Sequence, residues 1–247
     1  MTTAQGALPS HVVGPPAAAL DVSRWELALP EPDPATGGMW DVRHPDLTTF
    51  VHPRCWYLGD DGMVWFVAPV AGRATTDVGG TRCQLRELRT DRDPASWGMG
   101  DGVDHVLAAT LTCDATSIAG RRECIVGMIH DGTPTPPVYL AVNQNELPGR
   151  LVLFWRGRAH ARLLAEVGPT DVFSFRITVT GRGRARHCYV AAAMGEETPP
   201  GGVALRATEF AAQRSGCFFK AGAYNREPVN GSGVGASVVR VARLMVV

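Results

Sequence analysis

The chain has 247 residues, of which 45% are hydrophobic and 19% are charged, and its formal net charge is zero. This composition predicts one large globular domain with a buried core rather than a disordered chain. The lack of a basic excess argues against a nucleic-acid-binding or membrane-surface protein, and no apolar run approaches the roughly 20 residues of a membrane-spanning helix.

Residues 1–19 are rich in Pro, Ala and Gly, and we expect them to form a flexible arm ahead of a single domain at 20–247. That domain shows short β-type runs separated by Gly, Pro and Asp turns. The predicted strands, in chain order, are residues 25–29, 63–70, 81–88, 105–113, 123–131, 138–143, 150–155, 173–180, 185–192, 217–224 and 238–247. One short helix is predicted at 204–214. Many short antiparallel strands predict an all-β fold, a two-sheet β-sandwich or jelly roll.

The cysteines match no zinc-binding motif, because no CxxC pair occurs in the sequence. Cys113 and Cys124 flank a turn-like stretch and are placed to form a disulfide at the end of a hairpin. Buried free thiols are an equally good interpretation. The sequence leaves the disulfide state open, and it predicts neither a metal site nor a cofactor.

Polar and apolar residues alternate in three of the predicted strands, and side chains two residues apart in a strand share a face. The polar faces hold Arg82, Gln84 and Arg86 in the first strand, Met128 and His130 in the second, and Phe218, Lys220, Gly222 and Tyr224 in the third. In the second strand, Ile125, Gly127 and Ile129 are expected on the opposite face.

Two interpretations of these faces remain open at this point. Solvated faces of antiparallel strands are the commonest reason for such alternation. These faces, however, carry cations and hydrogen-bond donors and no acidic residue. A concave sheet lined in this way would form a groove for an anionic polymer.

Such a groove has the groups needed to break a uronic-acid polymer by β-elimination. The sugar carboxylate must be neutralised so that the C-5 proton becomes acidic, and Arg, whose fork matches a carboxylate, can stabilise the developing charge. A general base, His or Tyr, must remove that proton. An acid must then protonate the leaving glycosidic oxygen, which Tyr can do.

At these residues the sequence resembles polysaccharide lyase family 7, the alginate lyases with a β-jelly-roll fold. The family has an Arg-x-Glu-Leu-Arg-Glu strand, a Gln-Ile/Val-His strand and a Tyr-Phe-Lys-Ala-Gly-x-Tyr-Asn segment. The corresponding segments here are RCQLRE at 82–87, MIH at 128–130 and FFKAGAYN at 218–225. The opening LDVSRWELALP at 20–30 also resembles the start of the family, so the resemblance covers nearly the whole chain.

The resemblance implies catalytic roles for residues in each block. Arg86, and with it Arg82, would bind and neutralise the substrate carboxylate. His130 would be a base or a neutralising group, depending on the epimer. Tyr224 would be the catalytic acid and, for some substrates, also the base.

The remaining matched positions imply substrate binding, and two of them depart from the family. Lys220 and Asn225 would hold the sugar at neighbouring subsites. Gln84 stands where the family usually has Glu, which removes a negative charge beside the arginines. Met128 stands where the family has Gln, and a thioether cannot donate a hydrogen bond to a carboxylate.

We therefore expect a polysaccharide lyase that acts on a uronic-acid polymer, with alginate as the leading substrate and no cofactor. The departures at Gln84 and Met128 leave two alternatives: a lyase for a glucuronate polymer such as glucuronan, or a non-catalytic protein that binds acidic polysaccharides. The expected partner is the acidic polysaccharide, with no nucleic acid and no membrane, and the protein is expected to be monomeric. We expect an extracellular location, although no signal peptide is visible.

Overall fold

The computed structural model describes residues 11–72, 80–89, 93–155, 160–196, 203–206, 215–226 and 234–247. Strands dominate these ranges, and they are β1 (Val12–Gly14), β2 (Trp25–Pro32), β3 (Met39–Arg43), β4 (Trp56–Gly59), β5 (Val64–Pro69), β6 (Arg82–Glu87), β7 (His105–Asp114), β8 (Glu123–His130), β9 (Val138–Asn143), β10 (Gly149–Trp155), β11 (His160–Val167), β12 (Phe173–Thr180), β13 (His187–Met194), β14 (Val203–Arg206), β15 (Phe218–Asn225) and β16 (Ala236–Val246). Short 3-10 turns lie at Pro16–Ala18, Asp46–Thr48 and Gly183–Ala185. In the described ranges, no helix is long and apolar enough to cross a membrane.

The strands form two antiparallel sheets, as the jelly-roll prediction requires. The back sheet has the order β1-β4-β5-β16-β7-β12-β13-β14, and the front sheet has the order β11-β10-β9-β8-β15-β6-β2-β3. In the centre of the front sheet, β15 lies between β8 and β6. The three strands that the sequence singled out are therefore adjacent, although they are far apart along the chain.

The core lies between the sheets and is built from alternate residues of each strand. Leu85, Ile129 and Phe219 point inward from the three central front strands and are fully buried. Burying each such side chain contributes roughly 1.5–3 kcal/mol. Because their neighbours in sequence must then point outward, this packing fixes which residues reach the outer face of the front sheet.

Gly127 marks a place where the two sheets approach closely. A Cβ at this position would lie 2.5 Å from Cζ of Phe175 on the back sheet, which is closer than two carbon atoms can pack. The β8–β9 register also shifts between Ile125 and Gly127, which indicates a β-bulge. The glycine thus lets β8 pass over Phe175 while the bulge changes the direction of its side chains.

The structure differs from the sequence predictions at both ends of the chain. Of the predicted arm, residues 1–10 lie outside the described residues, whereas β1 pairs with β4 and its Val12 is buried. The predicted helix at 204–214 is wrong at its start, because β14 pairs there with β13, and its residues 207–214 lie outside the described ranges. Three further strands, β3, β4 and β11, were not predicted.

All six cysteines are free and buried. Of the two states that the sequence left open, the structure therefore shows the buried thiols. Cys113 and Cys124 are nevertheless close neighbours, since a hydrogen bond with Cys124, together with burial, raises the pKa of the Cys113 thiol well above its ordinary value.

Candidate active site

The register of the central strands brings the predicted polar faces together. Arg82 pairs with Tyr224 and Arg86 pairs with Lys220 across β6 and β15. On the other side of β15, Lys220 pairs with Met128. Paired residues have Cβ atoms only about 5 Å apart. The alternation that the sequence showed therefore becomes one continuous polar patch on the outer face of the front sheet.

This patch lines two neighbouring cavities. The first, which we call the His130 cavity, has a volume of about 510 Å³ and is lined by Arg82, Met128, His130, Gly132, Thr133, Pro134, Pro136, Lys220, Tyr224 and Arg226. The second, which we call the Glu26 cavity, has a volume of about 180 Å³ and is lined by Glu26, Ala28, Met39, Asp41, Arg82, Gln84, Arg86 and Lys220. Lys220 and Arg82 line both cavities, so they stand at the junction of one groove.

The ring of Phe218 organises the cationic side chains of the groove. The guanidinium carbon of Arg86 lies 4.3 Å from the ring centroid, and Nζ of Lys220 lies 5.6 Å from it. The imidazole of His130 stacks on the same ring, with centroids 5.2 Å apart. Contacts between a cation and an aromatic face contribute about 0.5–1 kcal/mol at exposed sites and more where water is excluded. Phe218 is thus a contact that Arg86, Lys220 and His130 share.

Lys220 is the only lysine of the chain, and its charge is set by its surroundings. Burial, and then the neighbouring Arg82 and Arg86, lower the pKa of its ammonium group to about 7. Near neutral pH the side chain is therefore close to half charged. A bound substrate carboxylate would favour the ammonium form, because its negative charge offsets the effects of burial and of the neighbouring arginines.

We expect substrate binding to weaken as the pH rises through 7. Lys220 is charged below this pH and neutral above it, so affinity for a polyanion should fall about tenfold between pH 6 and pH 9, the equivalent of one charge-assisted hydrogen bond. Calorimetric titration of a non-cleaving variant with oligouronate measures this. The Lys220→Arg variant keeps its charge and should lose that pH dependence. If affinity falls equally with pH in both proteins, a group other than Lys220 causes the pH dependence.

His130 is neutral at neutral pH, and its tautomer is defined by one hydrogen bond. Burial, followed by the charge of Lys220, lowers its pKa to about 4. The backbone N–H of Gly132 donates a hydrogen bond to Nδ1 of His130 at 2.9 Å. Because Nδ1 is the acceptor, the proton of the neutral ring is assigned to Nε2. In this arrangement His130 can donate a hydrogen bond to a substrate carboxylate, whereas it has no free ring nitrogen to accept the C-5 proton.

This assignment predicts different results for two substitutions of His130. The His130→Gln variant places an amide N–H near the position of Nε2 and should retain more activity than His130→Ala, by about tenfold, because it keeps one donor. Initial rates on the same polymer compare the two variants. Equal rates would contradict the donor role and favour His130 as the base.

Tyr224 lies between a cation and an apolar surface. The guanidinium carbon of Arg82 lies 5.1 Å from its ring centroid. On another side the ring packs against a cluster formed by Ile125, Met128, Tyr139 and Ala141, which we call the floor cluster. Both Ile125 and Met128 belong to this cluster, so the prediction that Ile125 faces away from Met128 is wrong. The bulge in β8 is the reason, since one additional residue reverses the alternation.

The floor cluster explains the environment of Met128. Its side chain is only 1% exposed, and its neighbours in the cluster are apolar or aromatic. An amide in the same position would be buried against these groups, which costs free energy unless both of its polar ends are hydrogen-bonded. In this chain, the Met128 side chain therefore supports the ring of Tyr224 by packing against it.

Gln84 faces the Glu26 cavity together with two carboxylates that the sequence analysis did not assign to the site. The side chain is 1% exposed, and neither of its amide atoms has a hydrogen-bond partner among the described residues. Glu26 and Asp41 line the same cavity, and burial, followed by the charge of Glu26, raises the pKa of Asp41. A third carboxylate at position 84 would add to this repulsion, which Gln avoids. Gln84 therefore lines this cavity with its amide atoms shielded from solvent.

Asn225 does not share this groove. Its side chain is fully buried and lines neither cavity, because alternation along β15 turns Asn225 to the inner side when Tyr224 faces the groove. The structure thus brings seven of the eight predicted site residues together and leaves Asn225 apart. Its predicted contact with the sugar stays a prediction.

A buried carboxylate behind the groove holds two of its strands in place. Oε2 of Glu87 accepts hydrogen bonds from Nε1 of Trp97 and from the backbone N–H of Phe219, both at 2.9 Å. Arg24 lies 3.5 Å from Oε1 of the same carboxylate. Phe219 lies between Phe218 and Lys220 in sequence, so this carboxylate fixes the backbone that carries both side chains.

Sequence reasoning missed several residues of the groove, and each omission has a local cause. Asp41 and Met39 lie in β3, a strand that was not predicted. Glu26 was in a predicted strand, and its alternation with apolar neighbours was the signal that could have placed it. Arg226, which lines the His130 cavity and lies 3.6 Å from Glu123, follows directly after the block that resembles the family.

Two β-sheets packed as a jelly roll, with a cationic groove that holds a tyrosine and a neutral histidine, define a polysaccharide lyase. The chain belongs to the alginate lyase family, whose model matches residues 20–246. The resemblance to polysaccharide lyase family 7 is thereby confirmed.

Solved structures of alginate lyases have the same fold. An alginate lyase from polysaccharide lyase family 7 has a TM-score of 0.73 at 23% identity, covering 94% of this chain and 97% of its own. An alginate lyase from Corynebacterium sp. has a TM-score of 0.74 at 22% identity, covering 95% and 98%. A family 7 alginate lyase in complex with substrate (GGMG) has a TM-score of 0.72 at 20% identity, covering 97% of both chains. A comparison with curated proteins finds no match.

Proposed function

We propose that this lyase cleaves alginate by β-elimination and leaves a 4,5-unsaturated uronate at the new non-reducing end. One observation carries the proposal: Arg82, Lys220, the neutral His130 and Tyr224 line a single cavity of about 510 Å³. The family match and the structural neighbour in complex with a substrate support alginate as the polymer. No step of this reaction calls for a metal or an organic cofactor.

The first step is neutralisation of the substrate carboxylate. Arg82, Lys220 and Nε2–H of His130 converge on the His130 cavity and would stabilise the charge that develops when C-5 loses its proton. Arg86 lines only the Glu26 cavity, so we assign it to the neighbouring sugar unit. This differs from the family-based expectation, in which Arg86 was the principal neutralising residue.

Tyr224 carries the proton transfers in this proposal. With His130 committed as a donor and Lys220 held in its ammonium form by the bound carboxylate, we assign both transfers to the tyrosine oxygen, which accepts the C-5 proton and passes it to the leaving oxygen. The bond from C-4 to the glycosidic oxygen breaks, and a double bond forms between C-4 and C-5.

The experiment that tests the proposal is ultraviolet absorbance over time with polymannuronate, polyguluronate, glucuronan and hyaluronan. Elimination forms a conjugated double bond, which absorbs where the intact polymer does not. A rise with either alginate polymer supports the proposal and identifies the preferred uronate. A rise only with glucuronan would favour the glucuronate alternative, for which Gln84 and Met128 are the motivating residues.

The second candidate function is binding of an acidic polysaccharide without cleavage. Met128 favours it, because the family amide that helps to neutralise the carboxylate is missing there. Retention on immobilised alginate, combined with flat absorbance on all four polymers, would support this alternative. Loss of both retention and absorbance change would contradict both functions.

A further inference from the structure

A tight turn places a histidine and a cysteine beside a carboxylate at one edge of the sandwich. The backbone N–H of His52 donates to the carbonyl of Trp56 at 2.8 Å, and the N–H of Cys55 donates to the carbonyl of His52 at 3.1 Å. The turn is therefore held by its own backbone. Its two side chains meet Glu31, which comes from the end of β2.

The donor atoms of these three residues have the spacing of a metal site. All three lie within 4.8 Å of one another, with 3.3 Å between His52 Nε2 and Glu31 Oε2 and 3.9 Å between Cys55 Sγ and Glu31 Oε1. Tetrahedral zinc, with bonds of about 2.0–2.1 Å to nitrogen and oxygen and about 2.3 Å to sulfur, has edges of about 3.3 Å and 3.5 Å between such atoms. The 3.3 Å and 3.9 Å distances end on different oxygens of Glu31, and the three donor atoms span up to 4.8 Å, so binding would require the side chains to move inward by about 1 Å.

We propose that Glu31, His52 and Cys55 bind a divalent transition metal of the zinc type. Nitrogen, sulfur and carboxylate oxygen form the donor set that zinc and cobalt share, whereas magnesium and calcium select oxygen alone. His52 and Cys55 are buried, while the Glu31 side chain is 26% exposed, which leaves the fourth position for water. On binding, the Cys55 thiol gives its proton to solvent and its sulfur bonds to the metal.

Arg54 competes with the metal for Glu31. Its guanidinium lies 2.7 Å from Glu31 Oε1, but the side chain is 74% exposed. An exposed ion pair contributes at most about 1 kcal/mol, so the guanidinium can leave at small cost. Removing Arg54 should consequently strengthen metal binding.

The site would connect the two sheets. Glu31 belongs to β2 of the front sheet, and Cys55 directly precedes β4 of the back sheet. A metal that binds only the folded arrangement raises stability in proportion to its affinity. The proposed ion would therefore clamp this edge of the sandwich, and its presence does not depend on the lyase activity.

Cobalt(II) titration of the full-length, untagged, reduced protein tests the site, because cobalt bound to a thiolate gives a charge-transfer absorption in the near ultraviolet. We expect this absorption to saturate at one cobalt per chain, and to saturate at a lower cobalt concentration in Arg54→Ala. Cys55→Ser should lose the absorption. Cys188→Ser, a matched change of another buried thiol, should keep it.

Two results would overturn the proposal. One is the absence of thiolate absorption at saturating cobalt in both the wild type and Arg54→Ala; since Arg54 is exposed, that variant should fold even where Cys55→Ser does not. The other is absorption that persists in a folded Cys55→Ser variant, which would place the metal on a different cysteine. Zinc should also raise the melting temperature of the wild type and leave that of Cys55→Ser unchanged.

Discussion

Replacement of Tyr224 by Phe is expected to lower kcat by about 10³–10⁴-fold, because one hydroxyl group carries both proton transfers. The phenyl ring keeps its packing against the floor cluster and the contact with Arg82, so the groove should retain its shape. Binding of alginate oligosaccharides should accordingly change little. Initial rates from ultraviolet absorbance and calorimetric affinity, measured on the same preparation, separate these two effects.

Tyr139 offers a matched control for this substitution. It belongs to the floor cluster beside Tyr224 but lines neither cavity, and burial raises the pKa of its hydroxyl to about 12. Tyr139→Phe should therefore leave kcat within about threefold of the wild type, as expected for a group outside the reaction. If Tyr224→Phe retains more than a tenth of the wild-type rate, the proton transfers belong to another group, and His130 becomes the first to test.

The fold and most of the groove could be predicted from the sequence because strand periodicity is a local property. Alternation in the segments that contain Arg82, Lys220 and His130 reports which side chains share a face, whatever the rest of the chain does. Burial of Leu85 and Phe219 then requires those polar faces to point outward. The pairing of three distant strands is not local information, and it is the sheet order of the structure that shows it.

Two features of the site could not be read from the sequence because they depend on backbone geometry. The bulge in β8 brings Ile125 and Met128 to the same face, and counting residues in steps of two gives the opposite result. The tautomer of His130 depends on the backbone N–H of Gly132, whose positive φ of 78° has no specific signal beyond the glycine itself. The role of a histidine in such a groove therefore depends on the backbone around it, which the sequence does not specify.

The Glu26 cavity could not be predicted from the sequence either, because it depends on how the strands are ordered in the sheet. Glu26 and Asp41 lie on β2 and β3, and only the sheet order shows that these strands extend the groove beyond β6. Their carboxylates suit hydroxyl groups of a sugar and oppose a carboxylate at the same place. The substitution of Glu by Gln at position 84 becomes intelligible only with these two neighbours, since it keeps a third negative charge out of one cavity.

Replacement of Glu87 by Ala is expected to reduce the free energy of unfolding by about 3 kcal/mol. The substitution leaves two buried donors, Nε1 of Trp97 and the backbone N–H of Phe219, without their acceptor, and each such loss costs about 1–3 kcal/mol. Urea denaturation followed by tryptophan fluorescence measures the change. A loss below about 1 kcal/mol would show that water or another group replaces the carboxylate.

Glu87→Gln is the corresponding control, because both hydrogen bonds end on the same oxygen. An amide oxygen in the position of Oε2 can accept from Trp97 and Phe219, and the variant loses only the partly exposed pair with Arg24, worth at most about 1 kcal/mol. The backbone of Phe219 also positions Phe218 and Lys220 on the opposite face of β15. Glu87→Ala should therefore raise the KM for alginate while Glu87→Gln does not, which links a carboxylate behind the sheet to the cations in front of it.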